Sequence, residues 1–190
     1  MIDQDSIREA LVTILKAIGE DPEREGLVGT PNRVAEMYSE LFMGLDMDPK
    51  EELVVGYEEG HRELVIVRDI PFYSMCEHHL LPFYGTVHVG YLPNVSGRVV
   101  GISKLARVVE IIARRPQIQE RMTSQIADTI MEGLNPSGVG VIVQGEHMCM
   151  VMRGVKKPGS NLVTSALRGY FRDKTECRHE FFSLLQGYKQ

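Results

Sequence analysis

Cys76 and His79 stand three residues apart in Cys76-Glu77-His78-His79, so a thiolate and an imidazole can approach one metal ion from a single tight turn. Two donors do not close a site, and Cys149 of His147-Met148-Cys149 is the natural third. Taken as an extended segment, that stretch puts His147 and Cys149 on one face and turns Met148 and Met150 toward the core. The expected set is Cys76, His79 and Cys149, with His78 and His147 close by and unligated. Three protein donors leave the fourth tetrahedral position for water, as in catalytic zinc sites and unlike closed structural ones. Spacing alone also fits a cysteine packed as a small hydrophobe. The crowding of histidines beside it favours chemistry, because such a cluster is costly to bury without work to do. Cys177 has no ligand-type neighbour and reads as a packing residue or spectator thiol.

A second constellation is basic. Residues 98–121 contain Arg98, Lys104, Arg107, Arg114, Arg115 and Arg121 against Glu110 and Glu120. Lys104 and Arg107 share one face near the start of a helix, where the backbone already favours anions, so phosphate binding fits; a solvated helix face is the alternative. No G-x-x-x-x-G-K-[ST] occurs, which excludes a P-loop.

The elements that must position these groups follow from periodicity. Ile7, Leu11, Ile14, Leu15 and Ile18 predict a helix over 6–18, and Thr30-Pro31 predicts an N-cap for a second. Strands are expected from Glu63, over 83–92, over Val139–Val143, over 147–152 and around 161–171. Ser103 is expected to cap a helix ended by Pro116, a further helix runs from about Gln117 to Met131, and a last one covers 175–185. Helices, two strands, two helices, more strands and a helix make an α+β fold with an antiparallel sheet. The expected division is an N-terminal helical region, 1–60, and a catalytic region, 61–190, within one structural unit.

Composition narrows the partners. With 43% hydrophobic and 25% charged residues, the 190-residue chain is of globular type. No apolar run is long enough to span a bilayer and the start is acidic, so a cytoplasmic protein without membrane attachment is expected. The net charge of −5 argues against a general nucleic-acid binder, yet it hides an asymmetry. Residues 1–60 hold 15 acidic and 5 basic side chains, leaving 11 acidic and 16 basic in the rest, which suits an anionic ligand.

At Cys76-Glu77-His78-His79, Gly101-Ile102-Ser103-Lys104-Leu105-Ala106-Arg107, Arg114-Arg115-Pro116-Gln117-Ile118-Gln119-Glu120-Arg121 and His147-Met148-Cys149 the sequence resembles the GTP cyclohydrolase I family. The likeness runs in the family's order from about Thr30 to Arg178-His179-Glu180-Phe181; the first 20 or so residues match only as a generic helix. The resemblance implies the tunnelling fold, an antiparallel four-stranded sheet with a pair of antiparallel helices, in a homodecamer whose active sites lie between subunits. It implies hydrolysis and rearrangement of GTP to formate and 7,8-dihydroneopterin triphosphate, the entry to tetrahydrofolate or tetrahydrobiopterin, with one zinc per subunit.

By the same resemblance Cys76, His79 and Cys149 hold the zinc, which acidifies water for attack at C8 of guanine. His147 acts as general acid and base near N7 and C8, and His78 protonates the ribose ring oxygen. Glu120 with Gln119 recognises guanine, since a carboxylate accepts from both N1–H and the exocyclic amine. Lys104, Arg107 and Arg153 contact the triphosphate, Arg33 reaches in from another subunit, and Ser103 lies near the ribose. Two other readings are a tunnelling-fold relative acting on another pterin or deazapurine, and a non-catalytic zinc-stabilised, nucleotide-sensing oligomer. The first uses three histidines for zinc or a nucleophilic cysteine without metal, which this set does not match; the second has no use for an open metal position.

Overall fold

A computed structural model describes residues 2–187. Two helices open the chain, α1 (Gln4–Ala17), capped by the Asp3 carboxylate on Ser6 N–H, and α2 (Thr30–Leu41), and Gln4 Nε2 donates to Ser39 Oγ at 2.7 Å to join them. Two 3-10 turns follow, Met43–Asp46 and Pro49–Leu53. Leu53 is fully buried and belongs to the main core, so the acidic N-terminal part is anchored into the body of the fold.

β1 (Gly56–Glu58) pairs with β4 (Arg98–Val100) in a small ribbon. The main sheet holds β2 (Val65–Cys76), β3 (Pro82–Leu92), β5 (Pro116–Gln117), β6 (Gly138–His147) and β7 (Asn161–Gly169), in the order β5-β2-β3-β6-β7. Four long strands are antiparallel as expected. The two-residue β5 is an addition, running parallel to Met75 and Cys76 at the end of β2.

One face of the sheet carries α3 (Ile102–Ala113) and α4 (Gln119–Leu134). Their apolar stripes, Leu105, Val108, Val109 and Ile112 with Met122, Ile126 and Ile130, close over Phe72, Phe83, Val87, Val141 and Val143. Cutting any one of the leucine, isoleucine, methionine or phenylalanine side chains among these to alanine costs about 2–5 kcal/mol. After β6 comes the single turn α5 (Met148–Val151), and after β7 the turn α6 (Tyr170–Asp173) and helix α7 (Thr175–Gln186). Phe171 and Phe181 cover Ile142 on the opposite face of the sheet.

Three local expectations fail for physical reasons. Gly29 and Gly101 take the cap positions, so Thr30 and Ser103 are helical residues and neither makes a capping bond. α4 starts at Gln119 because Pro116 and Gln117 are held as strand beside β2. The segment 147–152 is not a strand: the β3–β6 ladder ends at Phe83 opposite His147, and with no neighbour left to pair, the chain coils into α5. Met150 is consequently 40% exposed instead of buried. No helix among the described residues is long and apolar enough to cross a membrane.

Candidate active site

β2 ends at Cys76, and the chain reverses into β3 through five residues, with Cys76 N–H donating to Leu81 O (2.9 Å) and Leu80 N–H to Cys76 O (2.8 Å). Leu80 adopts φ 49° to complete the reversal, a conformation L-residues take only under constraint. The turn lifts His78 and His79 beside Cys76, and α5 brings Cys149 to the same point from the end of β6. Ligand atoms of Cys76, His79 and Cys149 all lie within 4.8 Å of one another.

The donors suit a metal ion by their chemistry. Cys149 is pushed up in pKa first by burial and then by the Cys76 sulfur beside it, so its thiol resists ionising until a cation sits beside it. Sulfur–sulfur–nitrogen is a borderline-soft set that zinc accepts. Cys76 came to this point as expected, while Cys149 arrived by a helical turn in place of the predicted strand face.

His147 is held from two sides. Its ring stacks on buried Phe83 with centroids 4.6 Å apart and planes 3° from parallel, and Nε2 is 3.0 Å from Gln119 Oε1. Burial depresses its pKa, partly opposed by the charge of nearby Glu120. Glu120 is exposed in the first turn of α4, while its neighbour Gln119 is only 1% exposed, its side chain turned inward. Glu77, inside the Cys-Glu-His-His motif, receives both Arg121 Nη1 and Nη2 at 2.7 Å, which ties the metal turn to the start of α4. That ion pair lowers the Glu77 carboxyl below its ordinary range. Neither the pair nor Phe83 is a candidate by residue type and spacing: Glu77 lies within the Cys-Glu-His-His motif and Arg121 within the basic run and the Arg114–Arg121 motif, with no role assigned to either.

The basic residues are divided. Arg153, in the exposed segment after α5, donates from Nη1 to His79 Nε2 (2.9 Å) and so belongs to the metal end. Lys104 and Arg107 lie elsewhere. The end of α3 touches the metal end, where Ser74 Oγ–H donates to Ala113 O (2.7 Å), and its start touches the far end, where Val100 N–H donates to Tyr91 Oη (3.2 Å). Lys104 is nine residues, about 14 Å of helix, before Ala113. Both cations meet one carboxylate oxygen, Glu52 Oε2, Lys104 at 2.9 Å and Arg107 at 3.5 Å. Ser103 is exposed at that same far end. Arg33 sits in the first turn of α2 and donates to Thr30 Oγ1 (3.0 Å).

The site therefore assembles the metal donors, His78, His147, Glu120 and Arg153 at one end of the sheet, and leaves Ser103, Lys104 and Arg107 apart from them, with Arg33 on α2. Comparison with known proteins is consistent along the whole chain. The chain is 67% identical over 186 residues, 98% of each chain, to GTP cyclohydrolase 1 of Dehalococcoides mccartyi. It is 63% identical over 187 residues to that of Pelotomaculum thermopropionicum, covering 98% of this chain and 99% of the relative. With that of Thermoanaerobacter pseudethanolicus the identity is 58% over 189 residues and all of both chains. Among solved structures, the archaeosine synthase QueF-Like in its apo form aligns over 56% of this chain and 93% of its own, with 21% identity and a TM-score of 0.44. The GTP cyclohydrolase I family profile matches residues 7–186, and on that match and these full-length identities the chain belongs to the GTP cyclohydrolase I family.

Proposed function

We propose that the chain converts GTP and water to formate and 7,8-dihydroneopterin triphosphate, with one zinc per subunit, at sites shared between copies in a homodecamer. The observation that carries this reading is the convergence of Cys76, His79 and Cys149 next to His147 and Glu120 at one end of one sheet. Zinc held by the three donors would acidify water for hydrolysis of the imidazole ring.

The chain's own residues do the rest. Glu120 accepts from the guanine N1–H and exocyclic amine, a pair of donors adenine does not offer. His147 moves protons at N7 and C8, and its burial, which depresses its pKa, favours the neutral ring that can accept a proton. His78, exposed on the turn, protonates the ribose ring oxygen, with Ser103 near the ribose. Arg153, Lys104, Arg107 and Arg33 hold the triphosphate by charge-assisted hydrogen bonds.

Separation of Lys104 and Arg107 from the metal end of the same chain supports a shared site. A second feature supports association: the nine-residue β7 forms an outer edge of the sheet, with the backbone groups that point away from β6 unpaired within the sheet. The test is metal analysis together with the fluorescence of oxidised neopterin after incubation with GTP or ATP. Stoichiometric zinc with product from GTP alone is expected; bound zinc without product from GTP would overturn the reading.

A further inference from the structure

Gln119 opens α4 beside the base-recognising Glu120, yet its side chain runs under the sheet. Its Nε2 lies 3.1 Å from Val143 O, 2.9 Å from Leu162 O and 3.2 Å from Thr164 Oγ1. Carbonyl oxygens only accept, so this end of the amide is the nitrogen. Thr123 supports the arrangement: its hydroxyl donates to Gln119 O (2.6 Å), leaving it to receive the Thr164 hydrogen at 2.6 Å, and Thr164 Oγ1 to accept from Gln119.

With the nitrogen fixed, Oε1 is the end that meets His147 Nε2 at 3.0 Å. An amide oxygen cannot donate, so Nε2 of His147 carries the hydrogen and the neutral ring keeps its lone pair on Nδ1. The Phe83 stack fixes the plane in which that lone pair lies. Room for the device comes from β6: a Cβ on Gly145 would stand 2.6 Å from Gln119 Oε1.

We propose that Gln119 is a positioning residue that locks His147 into the Nε2–H tautomer, making Nδ1 the atom that accepts and returns the proton during turnover. The side chain serves the histidine and makes no contact with the guanine base. The proposal rests on His147 as the proton-transfer group.

The test uses the full-length protein with 15N-labelled histidine, the His147 signals being assigned by difference from His147→Asn. Wild type is expected to show a single Nε2–H form of His147, and Gln119→Met a mixture of tautomers or a reoriented ring. Kinetically, Gln119→Met should lower kcat by about 10–100-fold, with KM for GTP and zinc content near wild type. Gly145→Ala, which attacks the same bond from the strand with Gln119 intact, should lower kcat in the same way and guards against a folding defect in the first variant. A raised KM with unchanged kcat in Gln119→Met, or an Nδ1–H tautomer in wild type, overturns the proposal. If instead His147→Ala keeps its turnover, the reading of His147 as proton carrier fails, and the tautomer measurement still judges the lock by itself.

Discussion

The two ends of the central sheet hold their functional side chains differently. At the metal end the groups are braced from beneath: His147 between Phe83 and Gln119, Glu77 by a two-pronged Arg121, Cys76 in a closed hairpin. At the far end Lys104 and Arg107 stand on α3 and share only the Glu52 carboxylate. Proton transfer and metal ligation lose rate with misplacements of about 1 Å, whereas attraction between charges falls slowly with distance. A rigid strand end suits the first task, and a long flexible cation suits the second.

The largest effect should come from the braced end. Cys149→Ala is expected to lose zinc and bring turnover to background, as metal analysis and the neopterin assay would show; full zinc retention would break the contrast at its strongest point. The division into ends is next. Cys149→Ala and Lys104→Ala should each be inactive or nearly so, while mixed oligomers coassembled in equal amounts should regain roughly a quarter of wild-type activity, the share of sites pairing two intact halves. No recovery would mean that one chain supplies both ends.

Glu120→Gln should lower kcat/KM for GTP by about 100-fold with thermal stability unchanged, because the carboxylate is exposed and its loss leaves a donor pair on the base unmatched. Unaltered kinetics would remove Glu120 from base recognition. The smallest effect belongs to Glu52→Gln. Glu52 holds both cations proposed to bind the triphosphate, so removing its charge should lower KM for GTP by up to about fivefold, less at high salt. The hydrogen bond from Lys104 lowers the Glu52 carboxyl below its ordinary value of 4.5. A group lowered on folding stabilises above its unfolded value and loses that contribution as pH falls through the folded one. Melting curves of wild type and Glu52→Gln should therefore differ at pH 7 and converge in acid.

Much of this was legible in the residues. The period-2 runs of β3 and β6 and the apolar stripes of α3 and α4 announce their faces directly, and the Cys76–His79 spacing pointed to a turn the hairpin provides. The segment after His147 misled because methionine, cysteine and valine suit a strand locally, while the ladder that would have extended it stops at Phe83. Gln119 misled for a similar reason. A glutamine beside an exposed glutamate reads as another surface contact, and only the acceptors from β6 and β7 reveal that it faces inward. Pairings across 24 to 55 residues, such as Gln119 with Val143 or Lys104 and Arg107 with Glu52, leave no periodic trace in a single chain.

Gly145 faces Gly85 across the β3–β6 pair, and neither has space for a methyl group: a Cβ on Gly85 would stand 1.9 Å from Gln144 O. The bare backbone at 145 is what admits the Gln119 amide. The opening and the side chain that fills it form one heritable unit, since a lineage altering position 145 alone loses the seat of Gln119, and one shortening position 119 alone leaves a void beneath the histidine. Change at this spot must come in pairs, so drift by single substitutions has little room to retune the end of the sheet that carries His147. The cations at the opposite end meet through one shared carboxylate, and no backbone opening of this kind ties one to the other.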